Sequence, residues 1–398
     1  MTLMTYDYTQ DLLKFIQRSP SPYHTVQASR TYLDQAGFQA LALSETWHLA
    51  PNSAYYVPLY DSGLVAFRTG SDVRRHLRLS AAHTDFPCLR LKYRPELRQH
   101  GYLKLNAEVY GGLLRESWLD RPLSLAGTVA LQSKDAFRPE VRLIDIGRPV
   151  LTIPRLAIHM NRQANDGVAL NPQKDLLPVM GLDDQALTNH FFLDFLSEKC
   201  HCLPEAILSY DLTVYPCETG CSLGWHDEFI SSPRLDNLTS VLACLMGLVK
   251  EDRADGLNVT ALFDNEEVGS QTKQGADSQI LPGILRRIYH AFGFTDDDFS
   301  ADLGRAFMLS VDVAHAIHPN HPEFADTTNA PVVNGGIVLK FNANQKYTTD
   351  GLSAAVFRKV CQKAGAPVQT YCNRADIPGG STLGNISLGH ISVPTADI

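Results

Sequence analysis

The sequence predicts an α/β protein interrupted by a β-rich insert, on three observations. Toward both ends of the chain, apolar runs of strand length alternate with stretches of helical periodicity. The middle, about 89–231, strings together short strand-like pieces punctuated by Gly and Pro. The 398-residue length leaves room for two or three domains, and 44% hydrophobic with 20% charged residues is an ordinary globular balance. A disordered tail protein or a coiled-coil rod is excluded. Segments 1–88 and 232–398 are therefore expected to build one domain around an insert at 89–231.

Each element has its own signal. Leu12, Leu13, Phe15 and Ile16 make one apolar helix face, stopped by Ser19-Pro20-Ser21-Pro22. A second helix is expected over about 24–36, closed by Gly37. YYVPLY and LVAFRTG flank Asp61-Ser62-Gly63 and read as a β-hairpin. HLRLSAAHTD alternates Leu77 and Leu79 before reaching His83. In the middle, LKLNAEVYGG, LSLAGTVALQ, VRLIDIG and LTIPRLAIHM read as strands, with a helix around Asn189–Lys199. After Pro233, DNLTSVLACLMGLVK, ILPGILRRIYHAF and LSAAVFRKVCQKAG read as helices. NVTALF, FMLSV, GIVLKF and VQTYCN read as strands.

Composition removes several function classes. A formal net charge of −8 and no long basic run leave no footprint for nucleic acid or an anionic membrane surface. The longest strongly apolar run, VLACLMGLV at 241–249, is far short of the ~20 residues that span a bilayer. No signal peptide is visible at the start, and eight irregularly placed Cys do not form a secreted disulfide pattern. A cytoplasmic protein is expected.

Chemistry-bearing residues gather at the ends of strand-like runs. One run ends in His83-Thr84-Asp85, one in Asp264-Asn265-Glu266-Glu267, and one in Asp312 with His315 and His318. Arg234-Leu235-Asp236-Asn237 opens a helix. In open α/β sheets ligands bind beyond the carboxyl ends of strands, so these segments are candidates for one crevice. His83 and Asp85 at i and i+2 share a face, which suits a ligating imidazole with a supporting carboxylate. Of the adjacent Glu266 and Glu267, one suits a ligand and the other a general base. Singly, each has an ordinary alternative: a surface His–Asp pair, loop glutamates, a helix N-cap at Asp236, a turn at Asp312. Together they would crowd like charges into one cleft, which calls for a cation. His, Asp and Glu donors suit one or two Zn²⁺ ions, an aspartate bridging the pair.

Other motifs fail. There is no G-x-G-x-x-G after a strand, no P-loop lysine and no G-x-S-x-G elbow. Ser381, in Gly380-Ser381-Thr382-Leu383-Gly384, lacks an elbow context. Cys200, Cys202, Cys217, Cys221 and His226 fit zinc-ribbon spacings poorly and read as reduced thiols.

Seven ordered blocks then resemble the aspartyl-type aminopeptidases. They are HTDFPCLRLK (83–92), GGLLRESWLDRPLSLAG (111–127), SPRLDNLTS (232–240), DNEEVGSQT (264–272), SVDVAHAIHPN (310–320), GGIVLKFNANQKY (335–347) and GGSTLG (379–384). The resemblance implies a mixed-sheet zinc-exopeptidase catalytic domain with an inserted β-rich dimerisation domain. It implies two zinc ions per active site, with His83 and Asp312 on the first, Glu267 on the second and Asp236 bridging. Glu266 would be the general base and Asp85 the support of His83. His159 would reach a neighbouring subunit's active site, and His318, Lys340 and Tyr347 would hold substrate. Short peptides would be the substrates, with acidic Asp or Glu at the N-terminus a possibility carried by the family name, and the assembly a homo-oligomer of dimers building a dodecamer. Family members continue past GGSTLG to a Met-His-Ser segment whose His completes the second zinc site. The sequence given ends at Ala396-Asp397-Ile398, and His390 comes too early to replace that His. The first zinc is thus expected to be held better than the second. A deacylase or carboxypeptidase on the same scaffold, and a catalytically silent assembly or cargo-binding protein, are the alternatives at this point.

Overall fold

Three apolar runs, LVAFRT, LRLSAAH and LNVTALF, are too uniformly buried to sit at a solvent face, and they form neighbouring strands at the heart of a sheet. The computed structural model describes residues 7–74, 76–184, 186–250 and 253–398. The chain divides into two compact units, Met1–Thr25 with Phe86–Arg234, and Val26–Asp85 with Leu235–Ile398. The helix Tyr8–Gln17, capped by Asp7 and burying Leu12, Phe15 and Ile16, is grouped with the middle segment.

The second unit carries a seven-stranded mixed sheet. Its order is Gln39–Ala40, Ala54–Leu59, Gly63–Thr69, Leu257–Phe263, Leu77–His83, Phe307–Ser310 and Thr395–Asp397. Ala54–Leu59 and Gly63–Thr69 are the expected hairpin, and Gly63–Thr69 runs antiparallel to Leu257–Phe263. From Leu257–Phe263 onward the last four strands are mutually parallel. Leu238, Val241, Leu242, Leu245 and Leu248 fall at helical spacing on the helix Leu235–Val249 and are buried. Ile337–Phe341 and Val368–Cys372 stand apart as a two-stranded parallel sheet joined by the helix Gly351–Ala364. That helix starts at an Asp350–Ser353 capping box and ends at Gly365, whose φ of 66° closes the last turn.

The first unit is built on a six-stranded antiparallel sheet, ordered Glu140–Asp145, Leu123–Leu131, Ile207–Pro216, Cys88–Gln99, Tyr102–Tyr110 and Val179–Leu182. Gly127 is required here: its φ is 152°, and a Cβ would lie 2.0 Å from the Asp211 carbonyl oxygen. The helix Phe191–Cys200 buries Phe191, Phe192 and Leu196. One expectation is corrected. LTIPRLAIHM is not a strand: only Leu151 and Thr152 make isolated bridges, to Leu123 and Val179. Pro154 has no N–H to give a ladder, and Leu156, Ile158 and Met160 point into solvent.

The sequence also concealed elements. The helix Asp296–Leu303 is too polar to show an apolar stripe and is specified by its Thr295–Asp298 capping box. The strand Thr395–Asp397 is only three residues long, below the length at which alternation can be read.

Candidate metal centre

Parallel pairing sets the geometry. Phe263 is in register with His83, and Ser310 with Ala81, so three adjacent strands end at one sheet edge about 4.8 Å apart. His83 is the last residue of its strand and is 1% exposed. Asp264–Glu267 follow the second strand, and Asp312 follows the third by two residues.

Each segment is then locked locally. Asn265 adopts φ 64°, a left-handed conformation that Asn tolerates, and turns the chain into the short 3₁₀ helix Glu266–Val268. Gln274 Nε2 donates to Asp264 and to the Asn265 side chain, each at 3.2 Å. The turn points two N–H groups at one buried carboxylate: Glu266 N and Glu267 N donate to the two oxygens of Asp85 at 3.1 and 3.2 Å. At Asp236 the backbone is not yet helical, with φ −81° and ψ 113°, and the Asp236–Asn237 peptide is cis. Asn237 Nδ2 donates to the Val311 carbonyl at 3.0 Å, which ties the Asp236 segment to the Asp312 segment.

These constraints converge on one imidazole. His83 Nε2 lies 3.5 Å from Asp236 Oδ1, 3.6 Å from Asp312 Oδ1 and 4.0 Å from Glu266 Oε2. Its Nδ1 faces the Asp85 carbonyl oxygen at 3.0 Å and the carboxylate at 3.4 Å. Ligand atoms of His83, Asp236 and Glu267 lie within 4.8 Å of one another, one group of metal-ligand type among the described residues. The cysteines contribute nothing to it. Asp85 thus touches more than the sequence indicated, holding both glutamate amides as well as facing His83.

Among the groups the sequence singled out as substrate contacts, Lys340 is buried and donates from Nζ to the Asp312 carbonyl at 2.8 Å. Its ammonium also lies 5.8 Å over the ring of the buried Tyr347. His318 is exposed; its Nδ1 accepts the Asn320 N–H, and its ring is 5.2 Å from that of His321. His315 is exposed beside Tyr371. His159 is exposed in the loop after Thr152, in the antiparallel-sheet unit.

The electrostatics follow from burying acids beside acids. Burial pushes the Glu266 carboxyl up to about 7; His83 opposes this, and Asp312, Asp85 and Asp236 reinforce it. Burial likewise pushes Glu267 to about 8, with Asp236, Asp85 and Glu266 adding to the rise. Burial opposes charge on His83, yet its contacts with Asp236, Asp312 and Asp85 hold it well above the usual imidazole range. Such a set is ill matched to itself and well matched to a cation. Donors of a tetrahedral zinc ion at ~2.0–2.1 Å stand about 3.3–3.4 Å apart, close to the 3.5 and 3.6 Å spacings around His83 Nε2. Nitrogen and oxygen donors of this kind are those zinc accepts.

Known proteins place the same edge in context. The family model described as aminopeptidase I zinc metalloprotease (M18) matches residues 15–398. This chain belongs to the M18 family. A probable M18 family aminopeptidase 2 of Clostridium acetobutylicum is 43% identical over 396 residues, covering 98% of this chain and 92% of the relative. The solved structure of the Ape4 and Nbr1 complex matches with a TM-score of 0.93 at 34% identity, over 98% of this chain and 79% of that one. The S. cerevisiae mApe1 dodecamer matches with a TM-score of 0.84 at 25% identity, over 98% of this chain and 89% of that one. The α/β fold and the family resemblance read from the seven blocks are thereby borne out. As an M18 member the protein is a zinc metallo-aminopeptidase, a hydrolase that removes N-terminal residues from peptides. No helix among the described residues is long and apolar enough to cross a membrane.

Proposed function

We propose that the sheet-edge cluster is the aminopeptidase active site, with His83 and Asp312 holding one zinc, Glu267 a second, and Asp236 shared between them. The observation that carries this reading is the convergence of Asp236, Asp312 and Glu266 on His83 Nε2 within 4.0 Å. Bound zinc supplies Lewis acidity, polarising the scissile carbonyl and acidifying the attacking water. Glu266 takes the proton from that water on its carboxylate and returns it to the leaving amine. Asp85 holds Glu266 and Glu267 by their amides, so base and ligand keep a fixed offset. Lys340 and Tyr347 form the substrate-facing wall beside Asp312, and His318 contributes from its loop.

We further take residues 89–231, which carry the antiparallel sheet, as an insert between catalytic segments 1–88 and 232–398 that serves dimerisation. His159 is supplied from it to a neighbouring subunit. Likeness to a dodecameric relative supports a homo-oligomer of dimers that admits short peptides. We assign the protein to the cytoplasm and its preference to acidic N-terminal residues, on the family resemblance and on the Lys340 ammonium beside the site. Glu266→Gln tests the central assignment. Turnover of a free-amine peptide should fall by about 10²–10⁴-fold while zinc content stays level. Appreciable residual kcat would assign the base elsewhere. N-blocked peptides should remain uncut, whereas a deacylase would accept them.

A further inference from the structure

The Gly-Ser-Thr-Leu-Gly run at 380–384 takes no part in the chemistry above, and its residues meet one fully buried acid. Asp397, 0% exposed on the last strand of the mixed sheet, receives Thr382 Oγ1 on Oδ1 at 2.6 Å. Its Oδ2 receives Thr348 N at 2.5 Å and Thr348 Oγ1 at 2.8 Å. Its own N–H donates to Thr349 Oγ1 at 2.9 Å. Gly384 is pressed against the same carboxylate: a Cβ there would lie 2.6 Å from Asp397 Oδ1 and 2.8 Å from Ser310 Oγ. The next residue closes the link to the metal edge, since Asp312 N donates to the Ile398 carbonyl at 2.9 Å and Ile398 N to that of Ser310 at 2.9 Å.

The loop 347–349 and the start of the helix Leu383–Ser387, with Thr382 at its N-cap, are thus pinned to one residue, Asp397, beside the Asp312 segment. Tyr347, adjacent to the pinned Thr348, packs over Lys340. Three hydrogen bonds on one buried carboxylate, with a fourth given by the same residue's N–H, tie this short edge strand to more than its sheet partner. We propose that Asp397 is a positioning residue for substrate binding: it acts through Thr348 to set Tyr347 and Lys340 at the peptide site, with Thr382 and Gly384 as the other half of the clasp. This rests on the assignment of Tyr347 and Lys340 as substrate contacts.

The test is a double-variant cycle on the full chain loaded with zinc. Asp397→Ala should raise KM for a free-amine peptide by about tenfold or more, with kcat and zinc content within about threefold. Asp397→Asn keeps the shape and an acceptor for Thr348, with an amide that donates to the Thr382 hydroxyl, and should recover most of the loss. Gly384→Ala, which crowds the carboxylate, should raise KM in the same direction. Tyr347→Ala should raise KM alone, and combined with Asp397→Ala should add little, because both act on one contact. Loss of active protein without a KM change, or additive effects in the double variant, overturns the inference. If Tyr347→Ala leaves KM unchanged, the underlying assignment of the substrate wall fails instead.

Discussion

Replacing Asp85 with Asn probes the clamp that sets the two glutamates. Asp85 is fully buried, and its two oxygens each accept one backbone N–H, from Glu266 and Glu267. Asn presents one acceptor and one NH₂, so at least one of these amides loses its partner and faces another donor. Leaving a buried donor unpaired costs about 1–3 kcal/mol, and the surviving bond loses its charge assistance. Relief of repulsion toward Glu266 and Glu267 offsets part of this, leaving a net loss of about 2 kcal/mol. In a unit of this size that lowers Tm by about 4–8 °C. Because one of the displaced glutamates is a proposed ligand, zinc affinity should also fall about 10–100-fold. Differential scanning calorimetry of the zinc-free protein and competition with a chromophoric chelator read the two effects. A Tm within 1 °C of the parent (about 0.3 kcal/mol) together with unchanged zinc affinity would refute the clamp.

Three further outcomes are expected. Burial pulls His24 from 6.5 down to about 4 against the pull of Asp145, so the unfolded chain takes up the proton first. Stability from this group is complete above about pH 6.5 and is lost as pH falls toward 4, by at most about 3 kcal/mol, so urea titrations of His24→Gln should show a flatter slope in that window. Gly127→Ala drives a Cβ into the Asp211 carbonyl and should cost about 3 kcal/mol or more, read as a lowered urea midpoint or insoluble protein; a parent-like midpoint contradicts the backbone assignment. Stripping zinc with a chelator should lower Tm, and adding zinc back at a hundredfold over Kd should restore about 2.7 kcal/mol; a Tm indifferent to both would place the metal elsewhere.

Much of the site was legible because its residues follow apolar runs long enough to announce strands. LRLSAAH points at His83, LNVTALF at the Glu266-Glu267 turn and FMLS at Asp312, and parallel pairing then brings the three ends level. What stayed hidden depends on tertiary contact rather than local pattern. The reach of Asp85 to two amides some 180 residues away follows from register between strands, which alternation does not encode. Asp397 carries no signal in the sequence because its partners, Thr348 and Thr382, come from separate segments. LTIPRLAIHM misled because its apolar content resembles a strand, while Pro154 and the solvent exposure of Leu156, Ile158 and Met160 settle its later part as loop.

The order of the sheet has a bearing on synthesis. The middle strand of the metal edge, Leu77–His83, has as neighbours Leu257–Phe263 and Phe307–Ser310, both made long after it. A chain still on the ribosome and lacking Asp312 can present His83 and even the paired glutamates, yet has no closed set of donors around the imidazole. On the proposed assignment of the site, hydrolytic competence is therefore postponed until the strand Phe307–Ser310 and the Asp312 that follows it have been made.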